Sequence, residues 1–183
     1  MKVISKKTLI KLKKLFITRK IPVKAFNLLK ESNKFQIISK NNEEKISNED
    51  FEKILKQNED LDAVLCTLTD KITPEVLKMT PNLKIVSTMS VGYDHIDIEA
   101  CKNSNVIVGN TPDVLTDTTA DIAVALLLAT SRRIPEGISS VKEGKWPAWK
   151  PEWLLGKDVS NSTIGIFGFG RIGQAFAKRM NKV

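Results

Sequence analysis

The six residues Gly168-Phe169-Gly170-Arg171-Ile172-Gly173 have the spacing of a loop that cradles phosphate. They follow the apolar run Thr163-Ile164-Gly165-Ile166-Phe167, which reads as a strand, and they open QAFAKRM, which reads as a helix. In that context each glycine has a distinct use. Gly168 permits a tight turn, Gly170 lets backbone approach a pyrophosphate, and Gly173 lets helix and strand pack closely. Free N–H groups and the dipole at the helix start favour negative phosphates. Arg171 is placed to add a charge-assisted contact. The pattern points to a dinucleotide, with a glycine turn that holds no ligand as the alternative. The confirming acidic residue of such folds lies about 20 positions further on, whereas the chain ends ten residues after Gly173.

A second candidate is Ser90-Val91-Gly92-Tyr93-Asp94, at the carboxyl end of the apolar run Leu83 to Met89. Open α/β sheets take their ligands at that edge. A glycine there bares backbone N–H groups, which suit a carboxylate; a plain strand-to-helix turn is the other reading. His95 is the chain's one histidine. General acid–base chemistry makes it tempting, but no carboxylate is evidently set to orient it, so it reads as structural or surface. Asp113, Asp117 and Asp121 read as caps and helix-entry charges rather than catalytic acids. Trp146, Trp149 and Trp153 read as packing residues first and interface anchors second. Cys66 and Cys101 lack CxxC spacing and sit among apolar neighbours, as buried free thiols do. No metal-ligand cluster is expected.

These residues need a scaffold, and the pattern supplies one. Lys14 to Thr18, Phe35 to Ile38, Asp62 to Cys66, Leu83 to Met89 and Val106 to Val108 read as strands. Between them lie helix signals. Pro22 precedes a stripe of Ala25, Phe26, Leu28 and Leu29; Ser47-Asn48-Glu49-Asp50 precedes Phe51, Ile54 and Leu55; Thr73-Pro74-Glu75 opens a short helix; another lies near Ile98 to Lys102. Strands alternating with helices predict a parallel sheet wrapped by helices. After Pro112, Thr116-Asp117-Thr118-Thr119 caps ADIAVALLLATSRR, a helix apolar on nearly every side and so expected to be buried all round. Arg132 and Arg133 suit its carboxyl end. Residues 134–162 read as an ordered, tryptophan-rich loop.

Composition narrows the function classes. The chain has 183 residues, 42% of them hydrophobic and 27% charged, which excludes collagen-like, mucin-like and disordered classes. The net charge of +8 invites a nucleic-acid reading. However, residues 1–30 hold ten Lys/Arg and no acid, whereas the rest hold 19 basic and 21 acidic residues, a net −2. The excess is therefore a basic extension over residues 1–14 and its neighbourhood, and no nucleic-acid partner is expected. The longest apolar run, Ile122 to Ala129, falls short of the ~18 residues of a membrane span. The start lacks a secretory core, and a cytoplasmic location is expected ahead of a mitochondrial one.

Taken in order, "VGYDHID", "NTPDVLTDTTADIAVALLLATSRR" and "GFGRIG" resemble the D-isomer-specific 2-hydroxyacid dehydrogenases. "STMSVGYDHID", "TPDVLTDTTA" and "WPAWKPEWLLG" resemble their glyoxylate/hydroxypyruvate reductase branch. The resemblance covers about residues 15 to 183 and only the first part of the family's length. It implies an α/β fold: a flavodoxin-like substrate domain over 15–112, an interdomain helix over 113–133, and the truncated start of a Rossmann-type NAD(P)-binding domain over 134–183. It further implies hydride transfer between NADPH or NADH and a small 2-oxo acid. By position, Val91 and Gly92 would bind the substrate carboxylate through backbone N–H, and Thr119 would lie near the nicotinamide. Gly170, Arg171 and Ile172, framed by Gly168 and Gly173, would sit against the pyrophosphate. Trp149 would reach a partner subunit's active site from a dimerisation arm over 134–160, giving a homodimer. The family's catalytic Arg, Glu and His match no position here, and His95 is not that histidine. The expectation is thus a chain inactive alone, with a non-catalytic module that pairs with full-length subunits through the Trp arm as the alternative.

Overall fold

A computed structural model describes residues 11–146 and 148–181. Residues 1–10 of the expected basic extension, Pro147 of the tryptophan-rich segment, and residues 182–183 lie outside the described residues. The chain divides into two compact units, with the division between Pro112 and Asp113.

In the first unit the strands are β1 (Lys13–Ile17), β2 (Phe35–Ser39), β3 (Ala63–Cys66), β4 (Ile85–Thr88) and β5 (Ile107–Gly109). The helices are α1 (Val23–Glu31), α2 (Asn48–Gln57), α3 (Pro74–Met79) and α4 (Ile98–Asn103). All five strands run parallel in the order β2-β1-β3-β4-β5, the flavodoxin-like doubly wound arrangement. The basic extension ends earlier than expected: Lys13 and Lys14 are strand residues, paired with Asp62 at 2.8 Å and Asp60 at 2.7 Å. The amino-terminal ends of the strands thus absorb part of the N-terminal charge.

Alternation along the strands assigns the two faces. Phe16, Val64, Cys66 and Val86 point into one core with Phe51, Leu55, Val76, Leu77 and Cys101, supplied by α2, α3 and α4. Phe16 and Phe51 stack there with ring centroids 5.9 Å apart. Leu15, Ile17 and Ala63 point the other way, against Ala25, Phe26 and Leu29 of α1. Leu28 departs from the expected stripe and is exposed, because it lies on the far side of α1. Ile85 and Ile107 lie in register beside Ala63 on this second face, and Ile107 is 67% exposed.

Helix starts follow local chemistry. Ser47 accepts from the Asp50 N–H at 3.1 Å, Asp97 accepts from the Ala100 N–H at 2.8 Å, and Thr73 caps α3 with Pro74 at its first position.

The second unit holds α5 (Thr116–Ser131), α6 (Ile134–Lys142) and α7 (Arg171–Met180). Four expectations need correction here. Residues 134–142 form a helix rather than a loop, with Pro135 in the first turn, where its missing N–H is harmless. Residues 163–167 form no strand, because no neighbouring strand pairs with them among the described residues. Only Ala120 of α5 is fully buried, and Ile122 and Leu126 are 61% and 62% exposed, since α7 packs along one side of the helix. The α5 cap position is Leu115, without a side-chain cap, and Arg133 adopts φ 53° and pairs with Glu136 instead of closing α5.

The larger core gives a direct measure of what holds the first unit together. Leu55 is wholly buried, and truncation to Ala removes contacts that nothing refills. Leu55→Ala is expected to lower unfolding free energy by about 3 kcal/mol, against less than about 0.5 kcal/mol for Leu28→Ala. Urea denaturation of the two variants checks the difference.

Candidate functional site

In the first unit, the turn after β4 is built from below. Thr88 and Ser90 are buried, and their hydroxyls lie 2.7 Å apart. The Ser90 hydroxyl donates to the Gly92 carbonyl at 2.7 Å. From the residues just after β5, the Thr111 N–H donates to the Ser90 carbonyl at 2.9 Å, and Asn110 Nδ2 donates to the Val91 carbonyl at 2.9 Å. The N–H groups of Val91 and Gly92 find no acceptor among the described residues. Gly92 is exposed, its φ is not left-handed, and an added Cβ would meet only Asp94 Oδ2, at 3.8 Å. The turn thus presents two adjacent donors to solvent with their carbonyls already occupied, an arrangement that can hold an anion.

His95 sits behind this turn, half-buried, with Nε2 3.1 Å from Thr88 Oγ1 and 4.0 Å from Cys66 Sγ. Burial pushes its pKa below the ordinary 6.5, and nearby Asp70 and Asp94 oppose that. Both cysteines are buried and free, and burial pushes the Cys66 thiol up to about 12, so it stays protonated and unreactive at neutral pH.

Sequence reasoning missed the knot between β1 and β3. Buried Asp70 accepts from the Thr18 hydroxyl at 2.6 Å, the Thr67 N–H at 2.8 Å and the Thr67 hydroxyl at 3.0 Å. Arg19 donates to Thr69 at 2.8 Å. A short polar run directly after two buried strands was the available signal.

In the second unit, the glycine loop opens α7 as its spacing implies, although the residues ahead of it form no strand among those described. Gly168 adopts φ 92°, open to glycine at little cost. A Cβ on Gly173 would land on the Gly168 carbonyl oxygen, so the backbone comes too close there for any side chain. Gly170 occupies the cap position of α7, has open space where a side chain would be, and leaves the helix N-terminus without a side-chain cap. Arg171 pairs with Asp113 at 3.0 Å, Ile172 is half-buried, and Thr119 lies exposed on α5. Asp117 and Asp121, expected as entry charges, both bind Arg179 of α7, at 3.0 and 2.5 Å. A backbone cradle with free N–H groups at a helix start fits a dinucleotide pyrophosphate.

The tryptophan segment forms an apolar groove of about 750 Å³ lined by Ile138, Val141, Trp146, Trp149, Trp153 and Leu155. Trp146 and Trp153 lie 5.5 Å apart, and Trp149 is 78% exposed. Gly156 was missed as a constraint: a Cβ there would strike the Ser131 carbonyl at the end of α5.

The depressed His95 pKa makes a pH prediction. Below about 6.5 the unfolded imidazole takes up protons that the folded one resists, so stability falls as pH drops and the loss is complete below the folded pKa. Since the chain has one histidine, His95→Gln should flatten the decline in urea midpoint between about pH 7 and pH 5.

Known proteins share this architecture. The chain is 44% identical to glyoxylate reductase/hydroxypyruvate reductase of Homo sapiens over 172 residues, 93% of this chain and 52% of that protein. The crystal structure of TT0316 protein from Thermus thermophilus superposes with TM-score 0.83 at 38% identity, covering 92% of this chain and 53% of that one. An NADPH-dependent glyoxylate/hydroxypyruvate reductase from Sinorhizobium meliloti, solved with NADP and malonate, matches with TM-score 0.72 at 27% identity, over 93% of this chain and 50% of that one. The chain spans about half the length of the curated relatives it matches. The D-isomer specific 2-hydroxyacid dehydrogenase catalytic domain matches residues 15–177, and the chain belongs to that family.

Proposed function

We propose that this chain carries the substrate-carboxylate turn and the pyrophosphate loop of an NAD(P)H-dependent reductase of glyoxylate and hydroxypyruvate. One observation carries the reading. The Val91 and Gly92 N–H groups are unengaged among the described residues, in a chain 44% identical to a glyoxylate/hydroxypyruvate reductase. The Val91 and Gly92 amides hold the carboxylate of a small 2-oxo acid. Gly168, Gly170, Arg171, Ile172 and Gly173 hold the pyrophosphate of the nucleotide, and Thr119 lies toward its nicotinamide. Bound NADPH or NADH supplies the hydride. These residues bind and orient; none of them moves a proton to the carbonyl oxygen, the task of the family's catalytic His. That residue and its Arg and Glu partners match no position in these 183 residues, so residues 1–183 alone are inactive. The basic N-terminal residues do not bind nucleic acid, and the protein works in the cytoplasm.

The exposed apolar groove around Trp149 supports a second element of the reading: the arm over 134–160 pairs with another copy of the chain, placing Trp149 at the partner's substrate. A purely non-catalytic pairing module differs by one result, capture of a full-length reductase without any nucleotide binding.

Purified 1–183 given hydroxypyruvate and NADPH is expected to show no turnover, and turnover at ordinary enzyme rates would overturn the inactivity reading. Binding is tested separately by titration with NADPH, read by tryptophan fluorescence. Gly173→Ala, which forces the Gly168 carbonyl to move, should weaken binding at least about tenfold. Gly165→Ala, whose Cβ meets open space, should leave it unchanged. Equal affinity for the two variants would sink the pyrophosphate assignment.

A further inference from the structure

We infer that Asn110 is a positioning residue that aims the Gly92 N–H, and that β5 and Ser90 together lock the donor geometry of the turn after β4. The argument rests on peptide planarity. In a trans peptide the C=O and N–H of one plane point in opposite directions, and no peptide in the described chain is cis. Fixing a carbonyl therefore fixes the direction of the following N–H. The Ser90 carbonyl receives the Thr111 N–H at 2.9 Å, so the Val91 N–H of the same plane points away from β5. The Val91 carbonyl receives Asn110 Nδ2 at 2.9 Å, so the Gly92 N–H points away from Asn110. The Gly92 carbonyl receives the Ser90 hydroxyl at 2.7 Å, which closes the third plane. Ser90 is itself held by Thr88 at 2.7 Å, and Thr88 by His95 Nε2 at 3.1 Å.

Three consecutive planes are thus held through their carbonyls, and the two N–H groups between them are left for a ligand. Without such restraint a glycine-containing turn rotates its peptide planes easily, and a donor pair needs both planes correct at once. Asn110 is the one side chain in this set that lies at the surface and outside the turn itself. It can therefore be changed without disturbing the core, which makes it the informative position. The inference deepens the carboxylate reading of Val91 and Gly92 and rests on it for the identity of the ligand, but not for the restraint.

Asn110→Leu keeps the side-chain size and removes the donor; Asn110→Asp keeps the shape and also removes it. The probe is oxalate, a small dicarboxylate, titrated into 1–183 and followed by amide NMR at Val91 and Gly92, with relaxation dispersion measured before oxalate is added. In the unsubstituted chain both amides are expected to be static and to move on titration. Asn110→Leu should introduce exchange broadening at Gly92 and weaken oxalate binding about three- to tenfold, with an unchanged urea midpoint. Asn110→Asp should broaden Gly92 in the same way. Should oxalate leave the unsubstituted chain's amides unmoved while Asn110→Leu broadens Gly92, the carboxylate reading fails and the positioning role stands. A Gly92 amide as static in both variants as in the unsubstituted chain overturns the positioning role, whatever oxalate does. Ser90→Ala gives an independent check, since it releases the Gly92 carbonyl and should broaden Tyr93 as well.

Discussion

Strands that run the same way cannot be joined by a tight turn, and this constraint organises residues 13–109. Each strand must be followed by a crossover that returns the chain to the starting edge, which is why helices alternate with strands here. The consequence for chemistry is that every strand delivers its carboxyl end to the same edge. Register then decides which residues meet there. Phe16, Val64, Val86 and Val108 lie in one row across the sheet, and the row one residue on contains Ser87 and Gly109. That alignment brings Asn110 and Thr111 beside Ser90 and Val91, about twenty residues away in sequence. A slip of one residue between β4 and β5 would turn Val108 and Val86 to opposite faces and carry Asn110 off the turn. The core and the turn therefore depend on the same pairing.

An edge made of strand ends is also an edge of unpaired backbone groups, and this chain meets that cost with side chains. Asp70 gathers Thr18 and Thr67 around one carboxylate oxygen, tying β1 to β3. Thr88, Ser90 and His95 perform the same task under β4. Each bond contributes only about 1 kcal/mol net, but a buried partner left unmet costs more than the bond provides. Such knots therefore specify one arrangement of the loops more than they add stability. They also explain why the reactive-looking groups of the first unit are quiet. Burial lowers the His95 pKa, and Cys66 is held as a thiol by the same desolvation.

Much of this was legible from residue order, and the boundary of legibility has a physical cause. Strand positions show as local runs of apolar residues, and the Ser47 and Thr73 caps depend on contacts within a few residues, so pattern reading found them. The glycine loop also depends on local backbone geometry, and its positive φ at Gly168 and close approach at Gly173 match the spacing. Misplaced features depended on partners distant in sequence. A strand exists only if a neighbour pairs with it, and residues 163–167 have none among those described. Asp117 and Asp121 read as helix-entry charges because Arg179, which binds both, lies about sixty residues away. Asn110 stands two positions before Pro112, and nothing local marks it as the partner of the Val91 carbonyl. The α6 helix lies at the start of a stretch read as a single loop, and Pro135 stands in its first turn, where proline does not break a helix.

Comparison of three glycines separates what the fold requires from what a ligand would require. At Gly173 and Gly156 an added Cβ would strike backbone, at the Gly168 and Ser131 carbonyls respectively, so the packing alone demands glycine. Gly92 is different. Its φ suits any residue, and its nearest neighbour would be a side-chain oxygen at ordinary contact distance. Alanine would fit the turn as it stands. The absence of a side chain at 92 therefore has no explanation inside the fold, while it has an immediate one outside it. A methyl group beside the Gly92 N–H would occupy space next to the open donor, which matters only if something else needs that space. Together with three carbonyls held so that two N–H groups are left over, this is the strongest physical support for a carboxylate at this turn. Gly168 and Gly173 cannot offer support of that kind, because there the fold alone already calls for glycine; only Gly170 of that pattern, with open space at its Cβ position, resembles Gly92.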